Sequence, residues 1–225
     1  MAVHNRPDCL QRALEALGKA EGHAGWRLFL SVEPGRENVT WEIIESFKAM
    51  DVVVSSHSHV LGCDQNTFLA AALAMAAGSD YNLHLEDDIV ISRDALLLCD
   101  WLFRPENKRE YNVLALRRLK EDASKPNRVA PSHDGLLGCG WAWCKEDWAE
   151  HIRHWWLYYE RGMPGKGWDL AMPWMLDKFG YRQWRPWVNR SKSIGYSGAH
   201  TPDGHFDPNM HGPCYDGLER GFSYG

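Results

Sequence analysis

From Ala2 to Leu98 the chain alternates between short apolar runs and longer stretches whose apolar residues recur at helical spacing. Ala2-Val3 reads as a short strand and His4-Asn5-Arg6-Pro7 as a turn. Asp8 is then placed to cap a helix over Cys9 to Ala20, which carries Leu10, Leu14 and Leu17 on one face. Gly22 and Gly25 break that pattern, and Trp26 to Val32 forms a second strand ending at Glu33-Pro34-Gly35. Asn38 opens an amphipathic helix over Thr40 to Ala49, Val52 to Ser55 is a third strand, and Asn66 to Ala77 is an alanine-rich helix. After Gly78 comes a fourth strand, Tyr81-Asn82-Leu83-His84-Leu85. Three acids follow it, Ile89-Val90-Ile91 resumes the apolar run, and Ser92-Arg93-Asp94 starts a helix over Ala95 to Leu98. Strands and helices alternating with short connections predict an α/β fold with a doubly wound, mostly parallel sheet. Such sheets bind ligands at the carboxyl ends of their strands. Arg6, Glu33 and Glu86-Asp87-Asp88 each stand just after a predicted strand, so the fold should gather them on one edge.

The second half is patterned differently. Tyr111 to Leu116 is a further strand, while Lys120 to Ser132 is charged and interrupted by proline, which predicts a mobile loop. Leu136 to Trp143 interleaves small and aromatic residues and leads into a helix from Lys145 or Glu146. Ile152 to Tyr159 reads as an aromatic helix, and a glycine-bearing loop over 162–167 leads to Trp168-Asp169 at a helix start. From Gly195 onward the chain is polar and glycine-rich, with no helical or strand periodicity, and must fold over the rest. One domain over 1–225 is expected, in two halves, 1–95 and a tryptophan-rich 96–225.

The three adjacent acids are the chemically distinctive feature. Carboxylates packed together at the end of a buried strand repel one another and are costly to desolvate unless a cation offsets them. Two readings stand: a site for Mg²⁺ or Mn²⁺ shared with a diphosphate, or a solvated acidic turn. A formal net charge of −5 removes any global basic footprint for nucleic acid. No apolar run approaches the length of a membrane span, and the first residues do not read as a signal peptide, so a cytoplasmic protein is expected. The six cysteines form no CxxC pair and read as free thiols. His57 and His59 are expected to face solvent in a loop after the third strand. Most of the 12 tryptophans follow Ala130, as core or as faces for stacking sugars or bases.

LHLEDDIVIS resembles the metal-binding segment of the GT-A nucleotide-sugar glycosyltransferases, which carry a DxD-type motif. Its Glu-Asp-Asp form is similar to that of the N-acetylglucosaminyltransferase I family. The resemblance extends to Trp168-Asp169 and to the run Arg185-Pro186, Arg190-Ser191, Ile194-Gly195, Gly198 and His200, with Leu170 standing where the family has a second acid. It implies a metal-dependent inverting transfer from a UDP-sugar to an acceptor hydroxyl. By the same likeness Arg6 and Glu33 contact the nucleoside, Glu86 the donor sugar, and Asp87 the ribose. Asp88 ligates Mn²⁺ or Mg²⁺, Arg190 adds charge at the diphosphate, and Asp169 is the general base. His200, with His205 second, contacts the metal or diphosphate, while His211 is expected to be a surface residue. The acceptor is left open between a glycan precursor, a protein and a hydroxylated base in phage DNA. For the DNA base, Trp155-Trp156 would supply stacking and Arg182, Arg185, Arg190 and Lys192 phosphate contacts. A non-catalytic, metal-dependent sugar-binding module is the alternative; a metallohydrolase is weaker, since His151 and His154 lack the i, i+4 spacing.

Overall fold

The computed structural model describes residues 1–35, 37–109, 112–132, 138–156, 168–196 and 207–225. Strands β1 (Ala2–Val3), β2 (Arg27–Val32), β3 (Asp51–Ser56) and β4 (Tyr81–His84) alternate with helices α1 (Pro7–Lys19), α2 (Glu37–Ser46) and α3 (Cys63–Ala76). β1 and β3 flank β2 and both run parallel to it, with Ala2 opposite Ser31 and Leu28 opposite Val52. A parallel bridge from Ala2 to Glu86, with the Ala2 amide donating to the Leu85 carbonyl at 3.1 Å, sets β4 on the other side of β1. The order β3-β2-β1-β4 is therefore all parallel. β2 is buried from Leu28 to Val32 because helices cover both faces, hence its unbroken apolar run.

Helix α1 begins two residues earlier than its pattern predicts. Pro7 occupies its first turn, where a fixed φ and a missing N–H cost nothing, and Asp8 lies inside that turn instead of capping it. Leu10, Leu14 and Leu17 form its buried face. Helix α3 also starts early, at Cys63, a shift with consequences at the site.

Beyond β4 the sheet is mixed. The remaining strands are β5 (Ile89–Ile91), β6 (Asn112–Ala115), β7 (Arg128–Pro131), β8 (Trp141–Cys144), β9 (Arg182–Pro186), β10 (Ser191–Ser193) and β11 (Ser223–Tyr224). β8 lies antiparallel between β4 and β6, β6 runs parallel to β9, β9 antiparallel to β7, and β7 parallel to β11. Two expectations are corrected here. Lys120 to Ser132 is not a loop throughout, because Val129 and Ala130 are buried in β7 between β9 and β11. Ile89 to Ile91 does not prolong β4; it pairs antiparallel with β10, Ile89 opposite Ser193.

Helices α4 (Ala95–Phe103), α5 (Lys145–Asp147, running into a π-helical turn over Trp148–Ile152), α6 (Trp168–Lys178) and α7 (Pro208–His211) complete the described elements. The tryptophans of the second half are mostly core. Trp141, Trp143, Trp156 and Trp168 are at most 1% exposed and pack on one another. Trp155 is buried against Phe179 and Tyr181, so the Trp155-Trp156 pair is not presented for base stacking. Among the described residues, no helix is long and apolar enough to cross a membrane.

Candidate active site

The carboxyl ends of β1, β2 and β4 bring Arg6, Glu33 and the three acids together. The Arg6 guanidinium reaches across from β1, donating to Asp88 Oδ2 at 2.7 Å and also to Asp87 Oδ1. The His4 amide donates to the second Asp87 oxygen, Oδ2, at 2.8 Å. Asp87 is fully buried with both oxygens engaged. It therefore ties β1 to the end of β4. Glu33 is held in a similar way. Its Oε1 accepts the amides of Leu61 and Gly62, both at 2.7 Å, and its Oε2 pairs with His4 Nδ1 at 2.6 Å. With 3% of its side chain exposed, Glu33 is the clasp of the loop after β3. Gly62 carries φ +86°, which suits glycine at the turn whose amide meets Glu33.

Asp88 differs from its neighbours. Ser193 Oγ donates to its Oδ2 at 3.4 Å, beside the Arg6 bond, while its buried Oδ1 has no hydrogen-bond partner among the described residues. A buried carboxylate oxygen without a partner is costly, and a hard cation is the partner such an oxygen suits. Among the described residues no group of three or more His, Cys, Asp and Glu side chains is arranged as a metal cage. The β5–β10 pairing closes the site from the other side: the Ile194 amide donates to the Asp88 carbonyl at 2.8 Å, and Gly195 lies directly on the carboxylate. A Cβ on Gly195 would stand 2.1 Å from Asp88 Oδ2, so only glycine permits this approach. His211, expected at the surface, is buried, its Nε2 bonded to the Gly195 carbonyl at 3.1 Å and its Nδ1 accepting the Asp207 amide at 2.9 Å. The Ser193 and His211 contacts leave no local signal in the sequence, because strand pairing and α7 create them.

Glu86 is only partly buried and lies beside the N-terminus of α3, with Cys63 Sγ 3.9 Å from its Oε1. Burial, and after it the charge of Asp88, pushes the Glu86 carboxyl up to about 8. Burial also lifts Asp87 to about 6 against the pull of Arg6. A folded-state pKa raised from about 4.5 to about 8 means that the fold binds a proton the unfolded chain has released. Glu86 therefore costs stability as pH rises from about 4.5 and reaches its full cost above about 8. The Met1 amine, buried and pushed down to about 5, has the opposite slope between about 5 and 8. The melting point of Glu86→Gln minus that of the wild type, both without metal, is accordingly expected to grow across this interval. A flat difference would contradict the placement of Glu86.

Asp169 sits in the first turn of α6, half-buried beside Gly138, whose Cβ position is 3.7 Å from Asp169 Cβ. Its charge contributes to the rise at Glu86. Arg190 is elsewhere. It is fully buried, with Nε 2.9 Å from Asp94 Oδ1, Nη1 donating to the Val188 carbonyl at 2.6 Å and Tyr215 packed on its face at 4.1 Å. Its guanidinium is thus engaged in an internal ion pair. Breaking such a pair from one side costs about 3–5 kcal/mol; Arg190→Ala is expected to lose stability of that order in urea titrations, and an unchanged midpoint would contradict the pairing. Arg185 is also fully buried, so the expected phosphate-contacting cluster of Arg182, Arg185, Arg190 and Lys192 does not form one surface. His200 and His205 lie outside the described residues. His57 is half-buried and bonded to Ser31 Oγ at 2.8 Å instead of facing solvent, whereas His59 is exposed. A cavity of about 280 Å³ lies at the amino ends of β2 and β4, lined by Met1, Phe29, Tyr81 and Leu83, and contains none of the acids.

No family model and no curated protein matches the chain. Its structure does have counterparts. It is similar to the mannosyltransferase PcManGT from Pyrobaculum calidifontis in complex with GDP-Man and Mn²⁺, at 15% identity and TM-score 0.54, with 82% of this chain and 53% of that one aligned. It is also similar to GalNAc-T7 with UDP, GalNAc and Mn²⁺, at 12% identity and TM-score 0.56, with 92% and 44% aligned. S. aureus TarS 1-349 in complex with UDP-GlcNAc aligns at 10% identity and TM-score 0.50, over 66% of this chain and 46% of that one. This chain spans about half the length of these neighbours. Its architecture is the GT-A fold of nucleotide-sugar glycosyltransferases.

Proposed function

We propose that this chain is the catalytic domain of a metal-dependent, inverting glycosyltransferase that uses a UDP-sugar. The observation that carries the reading is Asp88 Oδ1, a buried carboxylate oxygen with no partner among the described residues, at the carboxyl edge of a GT-A sheet. Asp88 would hold Mn²⁺ or Mg²⁺, which when bound supplies positive charge to the departing diphosphate. Arg6 holds Asp88 in place and lowers the cost of adjacent carboxylates. Glu86, the least buried of the three acids, faces the donor sugar. Asp169 accepts the proton of the acceptor hydroxyl as its oxygen attacks the anomeric carbon and the bond to the diphosphate breaks on the opposite face. Asp87, Glu33 and His4 keep the edge rigid, which is how positioning lowers a barrier. The acceptor is a hydroxyl group, on a glycan precursor, a protein or a hydroxylated base; for the base, the buried Trp155 and Trp156 supply no stacking face.

The test is thermal stability against UDP, GDP and their sugar conjugates, with Mn²⁺ or with a chelator. A ligand that binds only the folded chain raises its melting point. A UDP-sugar that raises it only with metal supports the reading. A panel in which no nucleotide acts, while a free sugar with Ca²⁺ does, overturns it in favour of a binding module.

A further inference from the structure

The helix that carries Asp169 is fastened by a residue from the nucleotide-binding half. Asp64 Oδ1 accepts the backbone amide of Trp168, the first residue of α6, at 2.9 Å. The first amides of a helix have no partner within it. Asp64 satisfies one of them from a distant part of the chain, as an N-cap residue does locally. It also lies in the first turn of α3, so two helix N-termini, each with a partial positive charge, share one carboxylate.

The base from which Asp64 acts is itself held on two sides. Glu33 fixes Leu61 and Gly62, the residues entering α3. Asn66, two residues on from Asp64, donates from Nδ2 to the Val3 carbonyl at 3.1 Å, fixing α3 to the end of β1. The segment from Leu61 to Asn66 is thus a bracket with one arm on the edge that carries the acids and the other on the start of α6. Trp168 fills the core position beneath, 1% exposed against Trp141 and Trp156, which limits rotation of that first turn. Asp169 is the next residue.

We infer that Asp64 is a positioning residue that sets the distance from Asp169 to the donor site by capping α6 across the cleft. This rests on the proposed role of Asp169 as base. It assigns to α3 a task in catalysis that the early start of that helix makes possible: a helix beginning at Asn66 would not carry Asp64 in its first turn.

The experiment compares Asp64→Ala, Asp64→Asn and Asp169→Asn in the Mn²⁺-dependent hydrolysis of UDP-glucose and UDP-N-acetylglucosamine. There water attacks the anomeric carbon, the glycosyl–oxygen bond to the diphosphate breaks with its electron pair leaving on UDP, and the water proton passes to Asp169. A reacting group displaced by about 1 Å can cost about 100-fold. Asp64→Ala is expected to lower kcat about 10- to 100-fold with the donor KM and the Mn²⁺–UDP thermal shift unchanged, whereas Asp64→Asn, whose amide oxygen accepts the same hydrogen bond, stays within about threefold of wild type. Hydrogen exchange reads the bond directly: the Trp168 amide is expected to exchange faster in Asp64→Ala and at the wild-type rate in Asp64→Asn. Wild-type kcat in Asp64→Ala beside an inactive Asp169→Asn overturns the role of Asp64 and leaves the base in place. Equal losses in Asp64→Ala and Asp64→Asn overturn it too, since charge and not the cap would then matter. An active Asp169→Asn overturns both.

Discussion

Asp169→Asn is expected to lower turnover of a UDP-sugar by about 10²- to 10⁴-fold, the range over which a positioned general base acts. The asparagine keeps the size and the hydrogen-bonding oxygen of the carboxylate but does not take up a proton. Asp169 stands in the first turn of α6, one residue after the anchored Trp168 and close to Gly138. The substitution therefore leaves the fold and the donor edge intact. The Mn²⁺-dependent thermal shift by UDP should persist in the variant, separating a chemical loss from a binding loss. Steady-state kinetics with anomeric analysis of the product make the check. Substantial turnover in Asp169→Asn, or a product with retained configuration, removes Asp169 from the role of base.

Asp88→Asn is expected to abolish the metal-dependent part of nucleotide binding. A ligand at 100 times its Kd stabilises a protein by about 2.7 kcal/mol, so the effect is read as a lost shift in melting point between Mn²⁺ and chelator. The same variant has an opposite effect without metal. Asp88 is the largest charge raising Glu86, whose carboxyl stands at about 8. With Asp88 neutral, Glu86 ionises more readily, and the metal-free variant should melt no lower than the wild type above about pH 8. Arg6 retains Asp87 as its partner, so its charge is not left unpaired. Loss of the nucleotide shift together with unchanged or higher intrinsic stability is the signature of a ligand site. A variant that simply unfolds, or one that keeps its Mn²⁺ response, contradicts it.

Much of this site was legible from one dimension. The acids, Arg6 and Glu33 could be placed on one edge because strand ends are visible as the points where apolar runs stop, and a parallel sheet puts all those ends on the same side. What each residue does there was less legible. Asp87 and Glu33 carry carboxyl groups like Asp88 and stand in the same kind of position, yet both are consumed by His4, Arg6 and the Leu61–Gly62 amides. Arg190 follows the motif that marks the second half, but the chain turns its guanidinium into the interior, onto Asp94. The tryptophans mislead for a related reason. Their number suggests stacking surfaces, and only burial distinguishes a core ring from an exposed one, as in half-exposed Trp174 against fully buried Trp156.

Sequence alone determined the alternation of strands and helices in the first half, the parallel sheet that follows from it, and the convergence of Arg6, Glu33 and Glu86-Asp87-Asp88. These depend on periodicity and on the handedness of crossover connections, which are local properties. Tertiary structure decided the rest: the mixed pairing of β6 to β11, the closure of Gly195 and Ser193 over Asp88, and the capping of Trp168 by Asp64. These contacts join residues about a hundred positions apart, as Asp88 with Ser193 and Asp64 with Trp168. Their physical origin is hydrogen-bond satisfaction in the interior. Each buried oxygen takes whichever donor the packing brings, and Asp88 Oδ1 is distinguished because the packing brings it none among the described residues.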